Sequence, residues 1–303
     1  MASRPIRLLL VGAHPADTFD QAGGTLAHHV AQGDQVTVVS VTTGVRSHDW
    51  ELIDEKDRGG RRLDVEQRVR AEREKKLVEL KKACEILGIE DVRTLDFDDD
   101  QELLREELVA AVAEVIREIR PDVVITHHPY EDWGLKLHAT VGRATMFAYR
   151  KAATAGRGNA LPPHRVPAIY FMNPTAYVGV TLSNAFAARI DLYVDISDVI
   201  DRKVKAMDCI SSQYYGGSYA RKRAEAADGH YGANAQVPYA EAFQRYWQWV
   251  TYTLPVSDFE IKRMEEPIEE SMNRQGIMTA AYIPLPEGAV PASYEIEKEL
   301  YDI

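Results

Sequence analysis

Residues 6–25 read IRLLLVGAHPADTFDQAGGT. Ile6, Leu8, Leu9, Leu10 and Val11 form a short apolar run between Pro5 and Gly12, the pattern of a strand buried on both faces of a parallel sheet. His14 and Asp17 follow directly, just past the carboxyl end of that strand, where open α/β sheets hold their ligands. An imidazole and a carboxylate converging from one loop form part of a common zinc ligand set. A third ligand has to come from elsewhere in the chain. Taken alone, His-x-x-Asp also reads as a loop histidine followed by a cap for a helix starting near Phe19.

Outward from this stretch, strand and helix patterns alternate. Residues 22–31 read as a helix and 35–41 (QVTVVSV) as a β-branched second strand. Residues 42–64 are a long charged loop that starts where a strand ends, a placement suited to covering a site. Residues 65–87 carry helical charge pairing and end at Gly88, where a C-cap glycine belongs. A short strand at 91–95 leads into the acidic turn DFDDD at 96–100, read as the cap of a helix over 101–119. Strands follow at 121–126, 168–172 and 191–195, with helices at 139–149 and 196–212. This order specifies an α/β fold with three layers: a mostly parallel sheet with helices on both faces. Residues 214–252, dense in Tyr, Trp, Arg and His, read as core or interface, and Arg221, Lys222 and Arg223 suit a carboxylate. The expected division is a catalytic domain over 1–255 and an extended arm over 256–303, broken by four prolines.

The 303 residues carry a net charge of -11, which argues against a nucleic-acid backbone as partner, since that needs a basic face. Cys84 and Cys209 are the only cysteines, so the chain is expected in a reducing cytoplasm without a disulfide scaffold. No apolar run approaches the ~18 residues of a membrane span, and the first residues run into the strand rather than into a signal-peptide cleavage region. The expected partners are a small anionic or N-acylated substrate and further copies of the same chain.

GAHPADTFDQAGGTLAHH resembles the opening motif of the PIG-L/LmbE-like family, whose usual form is A-H-P-D-D followed by G-G-T. The resemblance implies a Rossmann-like fold and a zinc ion held by His14 and Asp17, other divalent ions being acceptable to such ligands. It implies a third ligand at the end of an H-P-D-H motif, which here reads Leu135-Lys136-Leu137-His138, so His138 takes that role, with His127 and His128 as alternatives. It further implies a substrate-contacting acid after the third strand, assigned to Asp99, and a helix ending in S-Q, here Ser212-Gln213.

Two departures bear on chemistry. The family's usual reaction is N-deacetylation, with the residue after the proline as general base; here that residue is Ala16, which accepts no proton. The oxyanion-stabilising His of H-P-D-H is Leu135. The 4-oxalomesaconate hydratase branch of the family also carries H-x-A-D, so the resemblance implies first a zinc-dependent hydratase of an unsaturated keto-carboxylate, with a deacetylase using a relocated base as the alternative. Proton carriers are then sought at His48, Asp49 or Glu51 for hydration and at His128 or Asp132 for amide hydrolysis. Arg46, Tyr219 and Arg221 are the substrate-binding candidates beside Asp99.

Overall fold

Leu8 and Leu10 turn to one face of the first strand and Leu9 and Val11 to the other, and all four are fully buried, as the two-residue period of a strand covered on both sides requires. The computed structural model describes residues 4–277 apart from 50–51, 53–58, 60, 63, 100–102, 131–135, 157–159 and 173–188. In chain order its elements are β1 (Arg7–Gly12), α1 (Pro15–Ala31), β2 (Gln35–Thr42), α2 (Val45–His48), α3 (Val65–Leu87), β3 (Asp91–Phe97), α4 (Glu106–Ile119), β4 (Val123–His127), α5 (Lys136–Ala152), β5 (Ala168–Met172), β6 (Leu192–Asp195) and α6 (Ile200–Asp208). After a single turn at Ser211–Gln213 come α7 (Ser218–Arg223), a π-helical stretch (Ala224–Gly229), α8 (His230–Ala235), β7 (Ala240–Arg245), α9 (Asp258–Glu265) and α10 (Ile268–Ile277).

The strands pair in the order β3-β2-β1-β4-β5-β7-β6. β1 to β5 run parallel, and β7 runs antiparallel to both β5 and β6. The chain leaves β1 toward β2 and β3 on one side and returns to β4 on the other, so the crevice between β1 and β4 is the switch point at which such sheets bind ligands. α1, α3 and α6 cover the face carrying Leu8 and Leu10 through Phe19, Leu26, Leu80, Leu87 and Met207. α4 and α5 cover the opposite face through Leu108, Val112, Ile116, Val141 and Ala148. The α/β three-layer expectation is met.

Several elements differ from the sequence reading. α1 starts at Pro15, not at 22, because proline suits a first helical position and Asp17 in the first turn reaches back to the His14 N–H. α4 starts at Glu106, with Glu106 and Glu107 in its first turn. The acidic turn expected to cap it instead pairs with arginines, Asp96 with Arg73 and Asp98 with Arg46. α6 is shorter than expected. β7, whose AEAFQR is not β-branched, is a strand only because β5 and β6 pair with it on either side. In the arm, α9 and α10 are helical rather than extended. Both cysteines are free, and no described helix is long and apolar enough to cross a membrane.

One buried ionic group ties β7 to the middle of α1. Lys203 Nζ lies 2.8 Å from both Asp228 and Glu241, and the Glu241 carboxylate accepts the Gly24 and Thr25 N–H groups at 2.9 and 2.8 Å. Burial, with the like charge of Glu241, pushes the Asp228 carboxyl up to about 7 against the pull of Lys203. A carboxyl whose folded pKa exceeds its unfolded value of about 3.9 binds its proton more tightly when folded. Its stabilising contribution is therefore full below about pH 4 and lost as the pH rises through about 7. Lys203→Met, which strands two buried carboxylates, is expected to cost roughly 3–5 kcal/mol in urea unfolding. Asp228→Asn is expected to flatten the fall in stability from about pH 4 to about pH 7; a wild-type slope in that variant would contradict the assignment.

Candidate metal centre

The turn from β1 into α1 and the start of α5 bring His14, Asp17 and His138 together. One ligand atom from each lies within 4.8 Å of the other two, and all three residues are buried. His14 is the N-cap residue of α1 and its N–H donates to Asp17 Oδ2 at 2.6 Å. His138 Nε2 lies 3.3 Å from Asp17 Oδ1. Ligand atoms at tetrahedral corners about 2.0–2.1 Å from zinc are about 3.3 Å apart, so this edge of the cluster has the separation a shared ion needs. Two imidazoles and a carboxylate are the donor set of zinc sites that keep a position open for water, and the residues present therefore fit such an ion.

The third histidine expected as an alternative ligand has a different place. His127 ends β4, and its ring stacks on His138 at 3.9 Å. Its Nε2 lies 3.1 Å from Asp17 Oδ2 and accepts the Ala13 N–H at 3.0 Å. The two contacts need opposite tautomers: the bare nitrogen accepts from Ala13, the protonated one donates to Asp17. Burial raises the proton affinity of Asp17, but the charges of His138 and His127 outweigh it and hold the carboxyl well below the usual carboxylate range. Asp17 is therefore the ionised form that a metal requires.

Gln213 closes the other side, and its partners were not legible as such in the sequence. Its side-chain oxygen accepts the Ala16 N–H at 3.1 Å, one of the helix-start donors that lacks an intrahelical acceptor. A Cβ on Gly44, which has φ 65°, would sit 3.3 Å from both Gln213 Nε2 and the His14 ring, so glycine is required there on two counts. The turn carrying Gln213 is clamped from α3: Glu79 accepts from Ser211 Oγ and from the Ser212 N–H and hydroxyl, and Lys76 Nζ donates to the Ser212 carbonyl at 3.3 Å. The Ser212-Gln213 motif was the available signal for Gln213; nothing in the spacing of α3 marks Lys76 or Glu79. Tyr215 was missed as well. Burial, then the charges of Asp20, Tyr219 and Asp17, push its phenol well above the usual range, so the phenol keeps its proton.

The remaining candidates scatter. His128 is buried, with its ring 5.2 Å from Phe171 and 5.8 Å from Tyr130, and belongs to no ligand cluster among the described residues. Arg46 is exposed; its Nε pairs with Asp98 at 2.8 Å and its N–H donates to Asp99 at 3.1 Å. Tyr219 packs on Tyr215 at 5.0 Å. Arg221 is engaged by Asp208 at 2.9 Å, while Arg223 pairs inside the protein with Asp20, in the α1 turn beyond Asp17. Asp49 is held by Arg68. His48 lies in α2, and its side chain, with Glu51 and Asp132, falls outside the described residues. Ala16, the position at which the resemblance expects the base, is buried among the apolar residues that pack on α1.

The family model described as PIG-L, GlcNAc-PI de-N-acetylase, matches residues 9–149. A 1D-myo-inositol 2-acetamido-2-deoxy-alpha-D-glucopyranoside deacetylase of Streptomyces griseus is 30% identical over 253 residues, covering 73% of this chain and 74% of that protein. The protein of the same name from Thermomonospora curvata is 32% identical over 180 residues, covering 54% of this chain, so the match spans 58% of that relative's length. Among solved structures, the 4-carboxy-2-hydroxymuconate hydratase of Pseudomonas putida superposes with a TM-score of 0.64 at 25% identity, over 82% of this chain and all of that one. The N,N'-diacetylchitobiose deacetylase of Pyrococcus horikoshii shares the fold, with a TM-score of 0.61 at 18% identity over 79% of this chain and 83% of that one. The expectation that hydratases stand nearest gives way here, because both curated relatives are deacetylases.

The approach of α5 to β4 is testable. A Cβ on Gly142 would lie 2.5 Å from the His127 carbonyl oxygen, so Gly142→Ala must push α5, and His138 with it, away from Asp17. Zinc affinity measured by calorimetry is expected to fall roughly 10- to 100-fold, as when a ligand's support is removed; unchanged affinity would contradict this geometry.

Proposed function

We propose that this chain, which belongs to the PIG-L family, is a metal-dependent amide hydrolase that removes an acyl group from a small N-acylated substrate. The observation that carries the reading is the meeting of His14, Asp17 and His138 at the switch point of the sheet. The deacetylase names of its curated relatives support the reaction class. A divalent ion held by these three residues would polarise the amide carbonyl and lower the pKa of a bound water.

The chain's own groups supply the rest. Asp17, ionised and fixed by the His14 N–H, holds the carboxylate corner, and His127 keeps the His138 ring in place through stacking. Residue 16 contributes only a methyl group, so the proton on the attacking water passes to a relocated carrier, with His128 and Asp132 the candidates for that role.

A second reading, hydration of a conjugated keto-carboxylate, is favoured by two observations. The base position is an apolar methyl, and a hydratase matches over its whole length at 25% identity. The two readings separate on one panel. Zinc-loaded protein is expected to release acetate from N-acetyl glycosides, to lose that activity to a chelator and to regain it with added metal. Ala16→Asp is expected to raise the rate, by up to roughly 10²- to 10⁴-fold if a positioned general base is restored. Loss of conjugated absorbance from unsaturated keto-acids without acetate release would overturn the hydrolase reading in favour of the hydratase.

A further inference from the structure

A helix that docks on its own domain turns its apolar face inward, and the two helices after β7 do the reverse. Within residues 258–274 only Arg263, Glu266, Ser271 and Arg274 are partly buried. Arg263 donates to the Gln236 side-chain oxygen at 2.8 Å, and Arg274 donates to the Gln236 carbonyl at 2.6 Å and to Glu266 at 2.9 Å. The polar side of α9 and α10 is therefore the side held against the end of α8. Ile261, Met264, Ile268 and Met272 are exposed, Met264 at 89% and Ile268 at 80%.

The run that leads into these helices has the same character. Its root is fixed: the Trp247 ring meets Tyr149 edge-on at 5.5 Å, and the Arg245 guanidinium lies over the Trp249 ring at 5.9 Å. Beyond it Val250, Tyr252, Leu254 and Val256 alternate with Thr251, Thr253 and Pro255 and are all exposed. Eleven large apolar residues from Trp247 to Met272 are exposed. Where a large ring buries roughly 150–250 Å², side chains exposed to this degree present on the order of 1,000 Å². That exceeds the about 300–600 Å² of the largest apolar patch on an ordinary monomer and matches the about 800 Å² that one partner gives to a stable interface.

The charge of the stretch selects its occupant. Residues 247–274 hold six carboxylates against three basic side chains, whereas helices that lie on a bilayer surface carry Lys and Arg on their polar face. We propose that this stretch is the contact between two copies of the chain: the outer side of α9 and α10, with the apolar run before them, packs on the same surface of a second copy about a two-fold axis. A two-fold contact sets a patch against itself, so it covers the exposed apolar side chains of both copies at once and needs no complementary surface elsewhere. The contact lies outside the residues 9–149 matched by the family model and is independent of the reaction assigned to the metal centre.

Sedimentation equilibrium of the full chain at micromolar concentration tests the contact, with wild type, Met264→Glu, Ile268→Glu and Leu103→Glu. Leu103 is a control, an apolar residue exposed at 75% elsewhere on the surface. The wild-type mass is expected to be an even multiple of 34.1 kDa. Each α9 or α10 variant is expected to halve that mass, or to raise the dissociation constant at least roughly tenfold, with an unchanged circular dichroism spectrum because both positions are exposed. Leu103→Glu is expected to keep the wild-type mass. A wild type of 34.1 kDa, a mass unchanged in both variants, or one halved by Leu103→Glu as well, would overturn the proposal. A monomer that cosediments with phosphatidylcholine–phosphatidylserine vesicles would overturn it in favour of a membrane. A monomer that doubles its mass only when residues 278–303 are removed would overturn it in favour of that segment as the cover.

Discussion

A buried carboxylate is costly unless charge and hydrogen bonds compensate it, and the structure around the switch point is arranged to compensate one. Asp17 is 3% exposed. It reaches the His14 N–H, His127 and His138, drawn from the turn after β1, from β4 and from α5. Those contacts explain why α1 begins where it does, why His14 is its cap and why α5 must press against the end of β4 at Gly142. The same compensation keeps Asp17 ionised, the form in which a carboxylate serves as a metal ligand.

Support for that centre runs outward through polar contacts on the α1 face. Gln213 takes the Ala16 N–H, and Glu79 and Lys76 hold the turn from which Gln213 projects. Arg223 holds Asp20, and Lys203 with Glu241 grips α1 near Gly24. Side chains from α3, α6, the segment around α7 and β7 thus converge on a single helix whose first turn carries two of the three ligands. The region after residue 214, rich in aromatic and basic residues, is in this respect scaffold for the site.

Much of the sheet was legible because its signals are local. The apolar runs around Leu8 and Val124, the β-branched 35–41 segment, and the Gly88 stop after Leu87 each report their element without knowledge of the rest. His14, Asp17 and His138 were legible through a motif rather than through spacing, since 121 residues separate Asp17 from His138. β7 was hidden because its strand character comes from two partners far away in sequence. Arg221 and Arg223 look alike in a basic run, yet their positions on α7 direct one to Asp208 and the other to Asp20. Gln213 and Lys76 act only after α3, α6 and α1 have packed together, so no local pattern announces them.

The central claim is that three side chains from two distant parts of the sequence share one metal ion. X-ray absorption at the zinc edge of the zinc-loaded protein tests it most directly. The account predicts imidazole scattering from two histidines and a light-atom shell at about 2.0–2.1 Å, with one imidazole lost in His138→Ala. A zinc shell that lacks imidazole scattering, or that is unchanged in that variant, would contradict it.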